Sequence, residues 1–203
     1  CRFCAEPISI RYPALELTNA VLWVGVAWLL GPSWILPGYL WFVSVTLALI
    51  ATDLEHHRLP NRIVLHGAWV GLLLLGGGVL LDGVAMVRFA QAIVGGATWF
   101  GLMLAIALLA RGGFGFGDVK LAALLGSFVA FQPLLGAADW YDALGAVAVA
   151  VFVSFFLGGA IAIALLALRR TDRKREIAFG PAMIIASWIA IGWGDRLLAM
   201  WLG

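Results

Sequence analysis

Residues 47–62 read "LALIATDLEHHRLPNR". An apolar run gives way to Asp53, a charged segment follows, and Pro60 stops helix propagation. Proline lacks the amide hydrogen a helix needs, and its ring clashes with the preceding turn. Apolar segments flank this stretch on both sides, over 34–52 and 61–81. Each comes close to the ~20 residues that a helix needs to cross a bilayer. The stretch therefore reads as a turn at a membrane face between two spanning helices.

Working outward, the same pattern recurs along the chain. Apolar spans run approximately over 14–30, 34–52, 61–81, 87–110, 118–137, 141–168 and 179–202. Of 203 residues, 64% are hydrophobic and 12% charged, with mean hydropathy +1.03. That is about half the charge of an ordinary soluble domain. Barrel spans would show short alternating strands, and none occur. The expectation is an all-α, polytopic membrane protein of about seven transmembrane helices. The chain begins at Cys1 rather than Met and lacks the basic-then-apolar start of a signal peptide, so a segment is expected upstream. Residues 1–13 read as the remnant of a cytosolic cysteine-bearing region, and 14–203 as one membrane domain.

Lys and Arg gather in cytoplasmic loops. With the N-terminus inside, all of the thirteen basic residues except Arg88 and Arg196 fall on the cytoplasmic side. Asp82, Asp139, Asp142 and Asp195 fall outside. The net charge of +2 then says nothing of nucleic acid. The run "RRTDRKRE" (169–176) reads as a basic loop near anionic lipid.

An acid at a membrane span is costly and marks a site for function. Asp53 closes the second span. Asp118 opens the fifth, within "GGFGFGDVKLA" (112–122). Both fall at the same membrane face, where packing can bring them together. Two carboxyls sharing a partly desolvated site do not both ionise easily, so one acts as acid and the other as base. The bland alternative is that each acid caps a helix or faces water. Steps of four from Asp118 reach Ala122, Gly126 and Ala130, a small-residue face that lets another helix approach closely. That helix is expected to be the one bearing Asp53. Gly113, Gly115 and Gly117 allow backbone shapes closed to other residues and let a substrate strand pass near the carboxyl.

Four elements carry a family resemblance. "DLEHHRLPN" (53–61), "GFGFGDVKLA" (113–122), "AFGPAM" (178–183) and the opening "CRFCAEPISIRYPALEL" (1–17) stand in order. Together they resemble the type IV prepilin peptidases, membrane aspartyl proteases that process prepilins and type II secretion pseudopilins. The resemblance implies that Asp53 and Asp118 are the catalytic pair, in the bacterial inner membrane with the site facing the cytoplasm. Lys120 matches the family's lysine after the second aspartate; it holds a carboxyl charged or meets substrate, or else is a basic residue of the inner face. Gly115 and Gly117 fall to the loop beside the scissile bond. No metal or cofactor is implied for cleavage. Many family members also methylate the new N-terminus with S-adenosylmethionine, an activity tied to the cytosolic region around the cysteines. Cys1 and Cys4 read equally as half of a zinc site, whose other pair lies upstream in full-length members, or as two unligated thiols. Glu55, His56, His57 and Arg58 read as loop residues, and His66 as a packed or interfacial histidine.

Other protease chemistries fit less well. There is no HExxH helix. Ser127 lies seven residues beyond Lys120, about 10 Å along a helix, too far for a dyad. From other classes, an ion-coupled transporter would place an acid mid-membrane, and a non-catalytic secretion scaffold would need neither aspartate.

Overall fold

The structure, a computed structural model, describes residues 9–56, 58–109, 115–131, 133–134, 139–168 and 178–202. Expectations on Cys1, Cys4, His57, Gly113 and the 169–176 run lie outside the described residues. Seven helices follow in order: α1 Arg11–Leu30, α2 Leu36–His56, α3 Asn61–Leu81, α4 Val87–Leu109, α5 Phe116–Phe131, α6 Trp140–Ala167 and α7 Gly180–Leu202. Their bounds track the seven apolar segments of the sequence, and the all-α, polytopic reading holds.

Pro60 breaks the chain where the sequence puts it, and Gly31 is a second breaker. Gly31 takes φ +66°, a left-handed conformation that suits glycine, and its amide donates to the Ala27 carbonyl to close α1. Pro60 is extended at the N-cap of α3, and its carbonyl accepts from the amides of Ile63 and Val64. Five helices, α1 to α4 and α6, are long and apolar enough to cross a membrane. At 16 residues, α5 spans about 24 Å, short of the ~30 Å hydrocarbon core. It need not meet lipid on its own, because it is the centre of the bundle. Every residue from Leu124 to Phe131 is buried.

Lipid tails are as apolar as leucine, so close packing and interhelical hydrogen bonds must hold such a bundle together. The tightest seam joins α4 to α5. A methyl group on Gly126 would lie 2.5 Å from the Gly95 carbonyl oxygen, and one on Gly95 would meet Ala130 and the Gly126 carbonyl. This corrects the expectation that the stripe through Gly126 and Ala130 faces α2. The stripe meets α4, which carries its own pair of small residues, Gly95 and Gly96. Contact between α2 and α5 is aromatic instead. Phe42 stacks on Phe128 with centroids 4.2 Å apart, and the Tyr39 hydroxyl donates to the Phe128 carbonyl at 2.9 Å.

At the end of the bundle away from Asp53, Asp82 follows directly on α3. Its carboxylate accepts from the Ser33 hydroxyl (2.6 Å) and from the amides of Trp34 (3.0 Å) and Ile35 (3.1 Å), just ahead of α2. Sequence reading took Asp82 only as an acid of the outer loops; here it clamps α2 to α3. α1 stands apart from the rest. Only Val26 of its twenty residues is buried. It is held to α2 by Trp23 Nε1 donating to Ser44 (3.0 Å) and by the Arg11–Glu55 ion pair (2.8 Å).

Candidate active site

Three chain segments converge at one end of the bundle: the last turn of α2 with the following loop, the first turn of α5 and the first turn of α7. Asp53 sits in that last turn of α2 and is only 6% exposed. Asp118 sits in the first turn of α5, half-buried. Gly180, which lies against Asp53, and Gly117, the residue before Asp118, pack on the same Leu59 side chain. The fold thus brings together the two acids that the sequence singled out.

What lets them meet is the smallness of their surroundings. Gly180, the first residue of α7, lies against Asp53: a methyl group there would be 2.7 Å from Asp53 Oδ2. Gly117 lies against Leu59, whose side chain also reaches Gly180; methyl groups at the two glycines would be 3.2 and 3.5 Å from it. Leu59 is therefore a shared apolar wall between the α5 and α7 starts. A methyl group on Gly115 would lie 3.3 Å from Asp118 Oδ2, and the Gly115 carbonyl accepts from the Asp118 amide at 3.1 Å. Gly115 thereby shapes the turn that presents Asp118.

Lys120 Nζ donates to Asn61 Oδ1 at 2.9 Å and stands 5.0 Å over the ring of Phe116. It fastens the first turn of α5 to the first residue of α3. Glu55 lies two residues beyond Asp53 but pairs with Arg11 and neighbours the exposed His56 at 4.0 Å. The His66 ring donates through Nδ1 to the Arg62 carbonyl one turn back, at 2.7 Å, so it serves its own helix. Ser127 donates to the Ala123 carbonyl at 2.9 Å and packs on Gly96, well away from Lys120. Among the described residues no three His, Cys, Asp or Glu side chains cluster to hold a metal.

Sequence reasoning did not foresee that Leu59 and Gly180 would line the acid pair. For Gly180 a signal existed. "FGP" opens a helix with a residue that has no side chain to cap it, which suits close approach better than capping. Asn61 as the partner of Lys120 left no such signal.

The sequence pattern of the type IV leader peptidase family matches residues 40–163, which include both acids. Relatives resemble the chain along its length. A protein of Aeromonas hydrophila named prepilin leader peptidase/N-methyltransferase is 35% identical over 204 residues, covering 100% of this chain and 65% of that protein. Proteins of the same name from Neisseria gonorrhoeae and Pseudomonas aeruginosa are 34% and 30% identical, again over 100% of this chain and 65% of theirs. The chain thus spans somewhat less than two thirds of the length of these relatives. No solved structure matches it. Pattern and relatives together cover both acids and the helices that carry them: the chain belongs to the type IV leader peptidase family.

Proposed function

We propose that this multi-pass membrane protein is an aspartyl endopeptidase that removes the short basic leader from type IV prepilins or type II secretion pseudopilins. The observation that carries the reading is that Asp53 and Asp118 stand at the same end of the bundle, beside the Leu59 side chain on which both Gly117 and Gly180 pack. Membership of the leader peptidase family supports it.

The chemistry follows from two carboxyls in one site. Repulsion between them disfavours the doubly ionised state, so a single proton is shared by the pair. The ionised member takes a proton from water, and the resulting hydroxide adds to the carbonyl of the scissile amide. The protonated member gives its proton to the leaving amine as the C–N bond breaks. The carboxylic acid stays on the leader and the new amine on the pilin. Gly115, where a methyl group would meet only Asp118, leaves room for an extended substrate backbone at that carboxyl, while Gly117 and Gly180 let Leu59 and Asp53 close in. Lys120, held on Asn61, steadies the turn that presents Asp118. Cleavage in this scheme needs no metal or cofactor. Methylation of the new N-terminus with S-adenosylmethionine is a further activity that this reading allows, and Cys1 and Cys4 would supply two of a zinc ion's four ligands or stay as free thiols. The site opens to the cytoplasm from the bacterial inner membrane, which is where a leader left inside the cell would present its junction.

The test is incubation of the purified chain with a prepilin in detergent, followed by mass spectrometry. Wild type is expected to cut once, at the leader junction, with or without a strong chelator. Asp53→Asn and Asp118→Asn are each expected to lower the rate by more than about a thousandfold while still inserting into membranes. Full cleavage by either variant removes that residue from the pair, and zinc-reversible loss under chelation replaces the scheme with a metal mechanism.

A further inference from the structure

A groove runs between α1, α2 and α7, and its walls are in register with the acid site. On α2 the wall is made by Tyr39, Val43, Thr46 and Ile50, alternating steps of four and three along one helix face. The next step of three is Asp53. On α7 the wall returns in steps of four through Gly192, Trp188 and Ile184, and the next step of four is Gly180. These two end points meet: a methyl group on Gly180 would lie 2.7 Å from Asp53 Oδ2. Both walls, followed one turn beyond the groove, therefore arrive at the same carboxyl. The two hydroxyls on the α2 wall point into the protein. Tyr39 donates to the Phe128 carbonyl, and Thr46 donates to the Phe42 carbonyl at 2.7 Å.

We infer that this groove seats the membrane-spanning helix of the substrate, with the scissile junction one turn beyond it, at Asp53. The inference rests on the peptidase reading. With the leader inside the cell and the cut at the membrane face, the chain beyond the junction enters the bilayer, where its backbone must be helical to satisfy its own hydrogen bonds. Continuity with the acid site chooses this occupant: the groove starts where the cut is made and leads away from it. From Asp53 to Tyr39 the track is about 21 Å long, most of the ~30 Å hydrocarbon core. Its walls also suit a helix. Gly25 on α1 and Gly192 on α7 line the groove, and neither has any atom within 4 Å of where a Cβ would stand. Small residues of this kind let a second backbone approach closely, which is how helices hold to one another in a membrane. α1 is the wall that can yield to an incoming helix, since Val26 is its one buried residue.

Photo-crosslinking tests the occupant. Gly192 is replaced by p-benzoylphenylalanine in the Asp118→Asn chain, which is irradiated with purified prepilin in lipid nanodiscs and read by mass spectrometry. The expected adduct is one prepilin, joined about 12 residues beyond its junction, because Gly192 lies that many helical positions from Gly180. The same replacement at Gly77, on α3, should capture none. No prepilin adduct at position 192, whether a phospholipid, a second copy of this chain or nothing is captured instead, overturns the inference. Kinetics supply the second arm. Gly192→Phe and Gly25→Phe should each fill the groove and raise KM for prepilin at least about tenfold with kcat near that of wild type, because seating the helix is binding made equally in the ground and transition states. Gly77→Phe should change neither constant. Should Gly192→Phe fail to fold by thermal melting, Gly25→Phe makes the same test from α1. An unchanged KM in the folded variants overturns the groove and leaves the peptidase reading standing. Wild type that cuts no prepilin overturns the peptidase reading instead, and the adduct then decides the groove by itself.

Discussion

Asp53 owes its place to a neighbour that has no side chain. Gly180 opens α7 directly against Oδ2 of that carboxylate, with 2.7 Å between the oxygen and the place a Cβ would take. Even alanine must push the carboxyl or the start of α7 aside. Reacting groups tolerate little displacement, and about 1 Å can cost a hundredfold in rate. Gly180→Ala is therefore expected to cut prepilin cleavage roughly tenfold or more while leaving the melting temperature near that of wild type. Gly77→Ala, where a methyl group meets nothing within 4 Å, is the control that should leave the rate unchanged. The acids themselves were legible in the sequence because an ionisable group beside an apolar span is expensive and conspicuous. Leu59 was not, and Gly180 only through its FGP setting, because their contribution is proximity between segments 58 to 127 positions apart, which local pattern does not encode.

The helices were legible almost to their ends. Length of apolar run and the placing of Pro60 suffice for most of them, although α5 ends at Phe131, six residues before the apolar segment does. Which helix lies against which was harder to see. Small residues occur on several helices, and a stripe such as Gly126 and Ala130 announces a close partner without naming it. The partner is α4. Gly126→Leu should wedge α4 from α5 at a cost of about 1–3 kcal/mol, as overpacked cores do, read as a lower melting temperature in detergent together with slower cleavage. Leu124→Ala is no control for this, since Leu124 is fully buried. Leu73→Ala, at 73% exposure, is suitable. The clamp at Asp82 makes a second demand on packing between helices. Hydrogen bonds from the Ser33 hydroxyl and then the Trp34 amide hold its carboxyl below the usual carboxylate range, outweighing desolvation. Its folded value lies below its unfolded one, so the contribution is complete above about pH 4 and fades as pH falls through the lower folded value. Asp82→Asn should accordingly melt below wild type at pH 7, and the gap should close in acid beneath pH ~4. An unchanging gap across that range would assign the loss to shape and not to charge.

Across the entire chain, the two helices that carry the acids are both moored to a third. α2 brings Asp53 and α5 brings Asp118, yet each is tied to α3. Asn61, the first residue of α3, receives Lys120 from α5, and Asp82, the residue after its end, receives the amides that lead α2. α3 is 21 residues long, or about 32 Å, and so works as a spacer of set length between two moorings. The distance between the carboxyls then depends on a helix that carries neither of them as well as on the direct Tyr39–Phe128 contact between α2 and α5. One alanine inserted between Leu73 and Leu74 would offset the moorings by about 1.5 Å and turn them by about 100°. Cleavage should collapse while the other helices stay folded by circular dichroism, and deleting one neighbouring residue from the same helix should restore it. Lineages that lengthen or shorten this protein should thus be free to do so in loops, but not in α3, whose residue count helps set the spacing of the two acids.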